Sequence, residues 1–160
     1  MQKKKVFRAK EVAGYSPSGY EGTFVSRLLI DGEGVGSQNI MLNVFTLMPG
    51  QKTSPGSHPI PYEEVYYVLR GKGIVKLGGV TGEQYALCED TVVYIAGGEE
   101  HELENTGEEP LELVTVMPFH PTPGVNPLYD GRMRDWGTSF LMVGTKNGST
   151  ATSSGKSNAK

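Results

Sequence analysis

The sequence predicts an all-β protein, folded as an antiparallel sandwich or barrel. Segments rich in β-branched and aromatic residues recur about every ten residues along the chain, and turn residues separate them. Gly contributes 22 and Pro 10 of the 160 residues, and both are spread over the whole chain rather than gathered in one segment. The apolar residues show no helical periodicity beyond two turns, which argues against long helices.

Three segments in the first half of the chain carry strand signals. Each joins β-forming residues to a stop that contains Gly or Pro. In chain order they are Thr23–Ile30, Ile40–Met48 and Glu64–Leu69. The second is almost wholly apolar, which favours a strand buried on both faces, and the third alternates in polarity, which favours one buried face. A proline-rich loop is expected between these two, at Gln51–Tyr62.

Five further strand signals follow along the chain. Turns containing Gly, Asp or Asn separate them, and each is too short for a stable helix. In chain order they are Ile74–Leu77, Gln84–Leu87, Thr91–Ile95, His101–Glu104 and Leu111–Met117. We also expect a short edge strand at Val6–Arg8 and one more strand at Thr138–Val143.

The chain is long enough for one domain, and we expect four parts within it. Residues 1–39 form an N-terminal arm with edge strands, and residues 40–117 form the barrel core. Residues 118–143 combine prolines with aromatic and charged residues, which predicts a segment that packs on the barrel. Residues 144–160 contain only Gly, Ser, Thr, Ala, Asn and Lys, a composition that predicts disorder.

Composition excludes several classes of protein. The net charge of −3 and the lack of clustered Lys and Arg argue against nucleic-acid binding. No apolar run approaches the ~20 residues of a membrane span, and no signal peptide follows the basic start. Cys88 is the only cysteine, which excludes an intramolecular disulfide framework, fits a reducing cytoplasm and suggests a small core residue. A transition-metal site must therefore use carboxylates and the three histidines His58, His101 and His120.

Two segments of the barrel core resemble the two sequence motifs of the cupin superfamily. The first is HPIPYEEVYYVLRG (His58–Gly71), and the second is DTVVYIAGGEEHELEN (Asp90–Asn105). In the second, Gly98, His101 and Asn105 keep the motif spacing, whereas Asp90 and Ala96 replace a Gly and a Pro. The resemblance covers about residues 40–117 and implies a single-domain antiparallel double-stranded β-helix, the jelly-roll barrel of cupins.

The first motif lacks one of the two histidines that cupins place there. Glu64 lies seven residues before Gly71, as the family Glu does. Counting back without a gap puts His58 on the first family His and Ile60 on the second, and we prefer this register. The alternative puts His58 on the second His and Gly56 on the first, at the cost of one extra residue before Glu64.

The resemblance implies that His58, Glu64 and His101 are metal ligands, one fewer than the three His and one Glu usual in the family. Strand periodicity independently places Glu64, Tyr66 and Val68 on one face, which we expect to line the barrel. Two histidines and a carboxylate form a facial triad for one divalent transition metal ion: Fe, Mn, Ni or Zn. Three protein ligands leave coordination positions open for water and substrate.

Further candidates surround this triad. Tyr66, Glu63 and His120 are candidates for proton transfer. Ile60, Tyr62 and Asn105 are candidates for lining or binding the substrate. Arg132 and Arg134 could bind a substrate carboxylate if residues 118–137 cover the barrel mouth, or form salt bridges with Asp130 and Asp135.

The leading functional hypothesis is a metal-dependent enzyme acting on a small polar organic molecule. The metal would polarise an oxygen atom and a nearby base would move a proton, as in isomerases, lyases, dehydratases and decarboxylases. The alternatives are an Fe(II)-dependent dioxygenase, a non-enzymatic protein that binds a small ligand, and a metal-free enzyme that uses a histidine. We expect a homodimer, because small cupins commonly pair, with no nucleic-acid or membrane partner.

Overall fold

The described residues form ten β-strands in two antiparallel sheets, which confirms the predicted all-β jelly-roll fold. The computed structural model describes residues 5–17, 22–32 and 34–118, and the backbone of 140–143. The strands are Gly14–Pro17 (β1), Phe24–Ile30 (β2), Ile40–Leu47 (β3), Glu64–Arg70 (β4), Gly73–Leu77 (β5), Glu83–Leu87 (β6), Val92–Ile95 (β7), His101–Glu104 (β8), Leu111–Pro118 (β9) and Phe140–Val143 (β10). Two 3-10 turns, at Ala9–Glu11 and Gly79–Thr81, are the helical elements of the described residues, and neither approaches the length of a membrane-spanning helix.

The larger sheet has seven strands in the order β10-β1-β2-β3-β9-β4-β7, and the smaller has the order β6-β5-β8. The predicted loop before β4 adds an irregular edge to the smaller sheet. Its residues Lys52 and Gly56 form isolated bridges with Glu104 and His101 of β8. The backbone N–H of Thr53 also donates to the carbonyl of Leu103 (2.9 Å). Its prolines interrupt the pairing, because proline has no N–H to donate.

The apolar core lies between the two sheets. Val68, Leu111 and Leu113 from the larger sheet meet Val75 and Leu103 from the smaller one, and each is at most 3% exposed. Along β4 the residues Glu64, Tyr66 and Val68 are buried while the alternate residues are exposed, so the predicted face is confirmed. Burial of this face directs Glu64 into the barrel at one end of the core.

Three expectations differ from the structure. Val6–Arg8 is not a strand, and β1 forms instead at Gly14–Pro17, where it pairs with β10 and β2. Only one face of β3 is largely buried. Cys88 is exposed rather than in the core, because it follows the end of β6, where the chain turns away from the barrel.

Candidate metal centre

Three side chains from separate parts of the chain meet inside the barrel. His58 ends the irregular edge segment, Glu64 begins β4 and His101 begins β8. Each offers one ligand atom, and these atoms lie within 4.8 Å of one another. Glu64 is buried, and the side chains of His58 and His101 are 12% and 11% exposed. The structure therefore brings together the three residues that the motifs suggested as ligands.

The carboxylate of Glu64 lies between the two imidazoles. Its Oε2 is 2.6 Å from Nε2 of His58 and 3.8 Å from Nε2 of His101. Tyr66, on the same face of β4, donates its hydroxyl to the same oxygen (3.2 Å). The Tyr66 ring stands edge-on to His101, with 6.1 Å between the ring centroids. Tyr66 thus belongs to the site, as a direct neighbour of Glu64.

A backbone carbonyl sets the orientation of His101. Nδ1 of His101 is 3.1 Å from the carbonyl oxygen of Glu99. Because a carbonyl can only accept, the proton of the neutral ring is on Nδ1, which leaves Nε2, on the side of Glu64, unprotonated and able to bind a metal ion. This carbonyl–imidazole arrangement is the usual support for a metal-bound histidine.

The turn between β7 and β8 holds His58 in place. The backbone N–H of Gly98 donates to the carbonyl of His58 (2.7 Å). Gly98 has φ +85, a conformation that glycine adopts readily. The side-chain Nδ1 of His58 is buried and has no hydrogen-bond partner among the described residues. The 2.6 Å contact from Nε2 of His58 to Oε2 of Glu64 is a hydrogen bond in which Nε2 donates, because the carboxylate can only accept, and a metal ion at Nε2 would replace that proton.

These donors fit a divalent transition metal. Two imidazole nitrogens and one carboxylate oxygen are a ligand set that such ions accept. Ligand atoms bound to one ion at about 2.0–2.2 Å lie roughly 3–3.5 Å apart, and the distances of 2.6 and 3.8 Å bracket that range.

Ile60 and Gly56 occupy different positions relative to this cluster. Ile60 is 79% exposed, so its side chain points away from the barrel. Gly56 pairs directly with His101, donating to its carbonyl (3.1 Å) and accepting from its N–H (2.8 Å). Nothing lies within 4 Å of the Cβ that a side chain at Gly56 would add. Paired residues of antiparallel strands carry their side chains on the same face, so a side chain at Gly56 would lie beside that of His101. Gly56 is therefore the position of the missing histidine, and this favours the register with His58 as the second motif histidine.

The other described candidates are not members of the His58–Glu64–His101 cluster. The Glu63 carboxylate accepts a hydrogen bond from the exposed Tyr94 (2.6 Å), and this bond raises the pKa of the Tyr94 phenol. Tyr62 is half-buried just before β4. Asn105 is fully buried, and its amide bonds three backbone groups. His120, Arg132 and Arg134 lie outside the described residues.

Comparisons with known proteins agree with this architecture. The family model described as a cupin domain matches residues 43–117. The tetracenomycin polyketide synthase protein TcmJ of Streptomyces glaucescens is 28% identical over 99 residues, 61% of this chain and 64% of that protein. The match thus spans less than two thirds of that relative.

Solved structures share the fold. A predicted oxalate decarboxylase from Thermotoga maritima has a TM-score of 0.60 at 24% identity, over 71% of this chain and 97% of that one. The formate complex of Lactobacillus farciminis oxalate decarboxylase has a TM-score of 0.62 at 21% identity, over 76% of this chain and 35% of that one. The family model matches slightly less than half of the chain, and together with the shared double-stranded β-helix it supports placing this barrel in the cupin superfamily.

Proposed function

We propose that this cupin is a metal-dependent enzyme that acts on a small polar organic molecule, as an isomerase, lyase, dehydratase or decarboxylase. One observation carries the proposal: the buried cluster of His58, Glu64 and His101, with all ligand atoms within 4.8 Å. Fe, Mn, Ni and Zn are the candidate ions, and a bound ion would act as a Lewis acid on a substrate oxygen.

The chain's own residues supply binding, orientation and proton handling. Tyr66 holds the Glu64 carboxylate by a hydrogen bond, and the Glu99 carbonyl fixes the tautomer of His101. Tyr66 is 5% exposed as a whole residue, and its hydroxyl lies next to the candidate ligands. This position suits the hydroxyl to exchange a proton with a bound substrate.

An Fe(II)-dependent dioxygenase is the second candidate. Two histidines and one carboxylate are the ligand set of non-haem Fe(II) oxygenases, and the described residues bring no fourth ligand to the cluster. The TcmJ similarity makes polyketides reasonable first compounds to screen for either activity.

Reconstitution with single metals tests the proposal. Purified protein is stripped with a chelator, loaded separately with Fe(II), Mn(II), Ni(II) or Zn(II), and analysed for bound metal by mass spectrometry. We expect about one ion per chain. Substrate turnover without oxygen uptake supports the Lewis-acid enzyme, and iron-dependent oxygen uptake supports the dioxygenase. If none of the four ions binds, the proposal is wrong.

We further propose that two copies of the chain pair through the outer face of β4 and β7. This face presents five uncharged side chains, each 37–64% exposed: Val65, Tyr67, Leu69, Val92 and Tyr94. The hydroxyls of Tyr67 and Tyr94 donate to the carboxylates of Asp90 and Glu63 at its margin. Val65 pairs with Tyr94 and Tyr67 with Val92 across the two strands. Each pair joins one small and one large side chain. A second copy related by a two-fold axis perpendicular to this face can therefore place its tyrosines against the valines of the first copy. This self-complementarity favours an identical chain as the partner.

Light scattering coupled to size exclusion tests the pairing. Val92→Lys puts a charge into the outer face at its most exposed residue, and we expect the dimer mass to fall to that of one chain. Val80→Lys is the matched control, because Val80 is 92% exposed but lies in the 3-10 turn away from this face. A wild-type mass of one chain, or an unchanged mass for Val92→Lys, contradicts the pairing.

A further inference from the structure

Three neighbouring strands place polar side chains in one row inside the barrel. Asn43 of β3 pairs with Thr115 of β9, and Thr115 pairs with Tyr66 of β4. Asn43 is 2% exposed, and Thr115 and Tyr66 are each 5% exposed. These three residues, here called the polar row, point into the interior, because the alternate residues of β9 and β4 on the same face are buried too.

The polar row borders the candidate metal centre. The Tyr66 hydroxyl donates to Glu64 Oε2, so the polar row is in direct contact with the ligand cluster. On one side lies a small apolar cluster of Met41 and Met117, and on the other lies the main core. Such interior positions are usually aliphatic, since a buried polar group costs free energy unless it is hydrogen-bonded. The polar row is therefore a departure from ordinary core packing.

Hydrogen bonding within the row is incomplete. Ser26 donates its hydroxyl to Asn43 Oδ1 (2.8 Å), and Tyr66 bonds Glu64 (3.2 Å). Thr115 Oγ1 is buried and has no partner among the described residues. A hydroxyl can donate once and accept twice, and Thr115 uses none of this capacity among the described residues.

We propose that Thr115, supported by Asn43, binds a neutral polar group of the substrate: a hydroxyl, carbonyl or amide. This inference rests on the proposed function, in which another end of the same molecule reaches the His58–Glu64–His101 cluster. No Lys or Arg belongs to the polar row. A substrate carboxylate at Thr115 would thus be a buried, unpaired charge near the Glu64 carboxylate, which is strongly unfavourable. The substrate class is therefore a hydroxy, keto or amide compound rather than a symmetric dianion.

Length-matched ligand pairs test this specificity. Malonate is compared with malonamate, and succinate with succinamate, because each pair differs only in one end being a carboxylate or a neutral amide. Calorimetric titrations are run on Ni(II)-loaded and on metal-free protein. We expect Thr115→Val, which is nearly isosteric, to weaken binding of the better amide about tenfold and to leave the dicarboxylates within about twofold. Thr115→Ser, which keeps the hydroxyl, is expected to restore amide binding.

Thr46→Val is the matched control. Thr46 is also a buried threonine of the larger sheet, 6% exposed, but its hydroxyl is 3.5 Å from Glu112 on the opposite face. We expect Thr46→Val to leave both amide and dicarboxylate affinities unchanged. Thr115→Val is expected to match or exceed the wild-type melting temperature, since it removes an unpaired buried hydroxyl.

The outcomes separate this inference from the proposed function. If wild-type protein binds none of the four metals, the proposed function is wrong. The titrations of metal-free protein then still test whether Thr115 binds the amide ligands. Equal loss of amide and dicarboxylate binding in Thr115→Val, or no loss of either, overturns the role of Thr115. So does a wild-type protein that binds neither amide.

Discussion

Replacing Glu64 with Gln is expected to weaken the binding of a divalent transition metal by about a hundredfold or more. The change removes the only carboxylate of the described cluster, and with it the negative charge that offsets the ion. A neutral amide keeps the size of the side chain and one acceptor oxygen for Tyr66, so the fold is preserved. Competition with a chromophoric chelator measures the loss.

The adjacent glutamate provides a matched control for this variant. Glu63 is exposed, and its carboxylate bonds Tyr94 rather than the histidines. Glu63→Gln makes the same chemical change one residue away, and we expect its metal affinity to stay within about twofold of wild type. Equal losses in the two variants would mean that general charge, not ligation by Glu64, governs the binding. Unchanged affinity in Glu64→Gln would remove this residue from the site.

The sequence was sufficient to choose Glu64 over Glu63. Motif spacing from Gly71 selected Glu64, and the strand period placed it on the same face as Tyr66 and Val68, as the burial of β4 confirms. Both signals are local, because they depend on counting within a single strand. The pairing of His58 with His101 depends on the family motifs, since 42 residues of chain separate them and no local pattern links them.

The position of the missing histidine could not be fixed by counting. The gap-free register put Ile60 on the second motif position, yet Ile60 is 79% exposed and Gly56 lies opposite His101. One extra residue in the proline-rich loop changes the spacing between the motif-one positions and Glu64. It need not change which loop residue pairs with His101, because loops tolerate extra residues. The pairing with β8 was the decisive information, and it arises only in the folded sheet.

The polar row was hidden for a related reason. Asn43 and Thr115 each lie in a largely apolar strand, within IMLNVFTL and LELVTVMP, which also contain Thr46 and Glu112. No pattern within either strand indicates a role for one of its polar residues over the other. Only the register across β3, β9 and β4 puts the two beside Tyr66 and next to Glu64. Cross-strand register therefore brings the polar row to the candidate metal centre.

Asn105→Ala is expected to lower the free energy of unfolding by about 2–4 kcal/mol while leaving metal affinity unchanged. The side-chain amide nitrogen donates to the carbonyls of Leu47 (2.8 Å) and Glu109 (2.9 Å), and its oxygen accepts from the N–H of Gly107 (2.9 Å). Asn105 is 0% exposed, so alanine leaves these groups unpaired in a small cavity.

Urea unfolding of the metal-free protein measures the effect of Asn105→Ala, with Asn39→Ala as the control. Asn39 is exposed, and we expect its variant to lie within about 0.5 kcal/mol of wild type. The motif suggested Asn105 as a substrate-binding residue, but an amide whose nitrogen and oxygen already bond the backbone has little capacity left for a ligand. A stable Asn105→Ala protein that has lost ligand affinity would reverse this assignment. A destabilised variant with intact metal affinity would support a structural role for Asn105, in which its hydrogen bonds hold the turn after β8 against the end of β3.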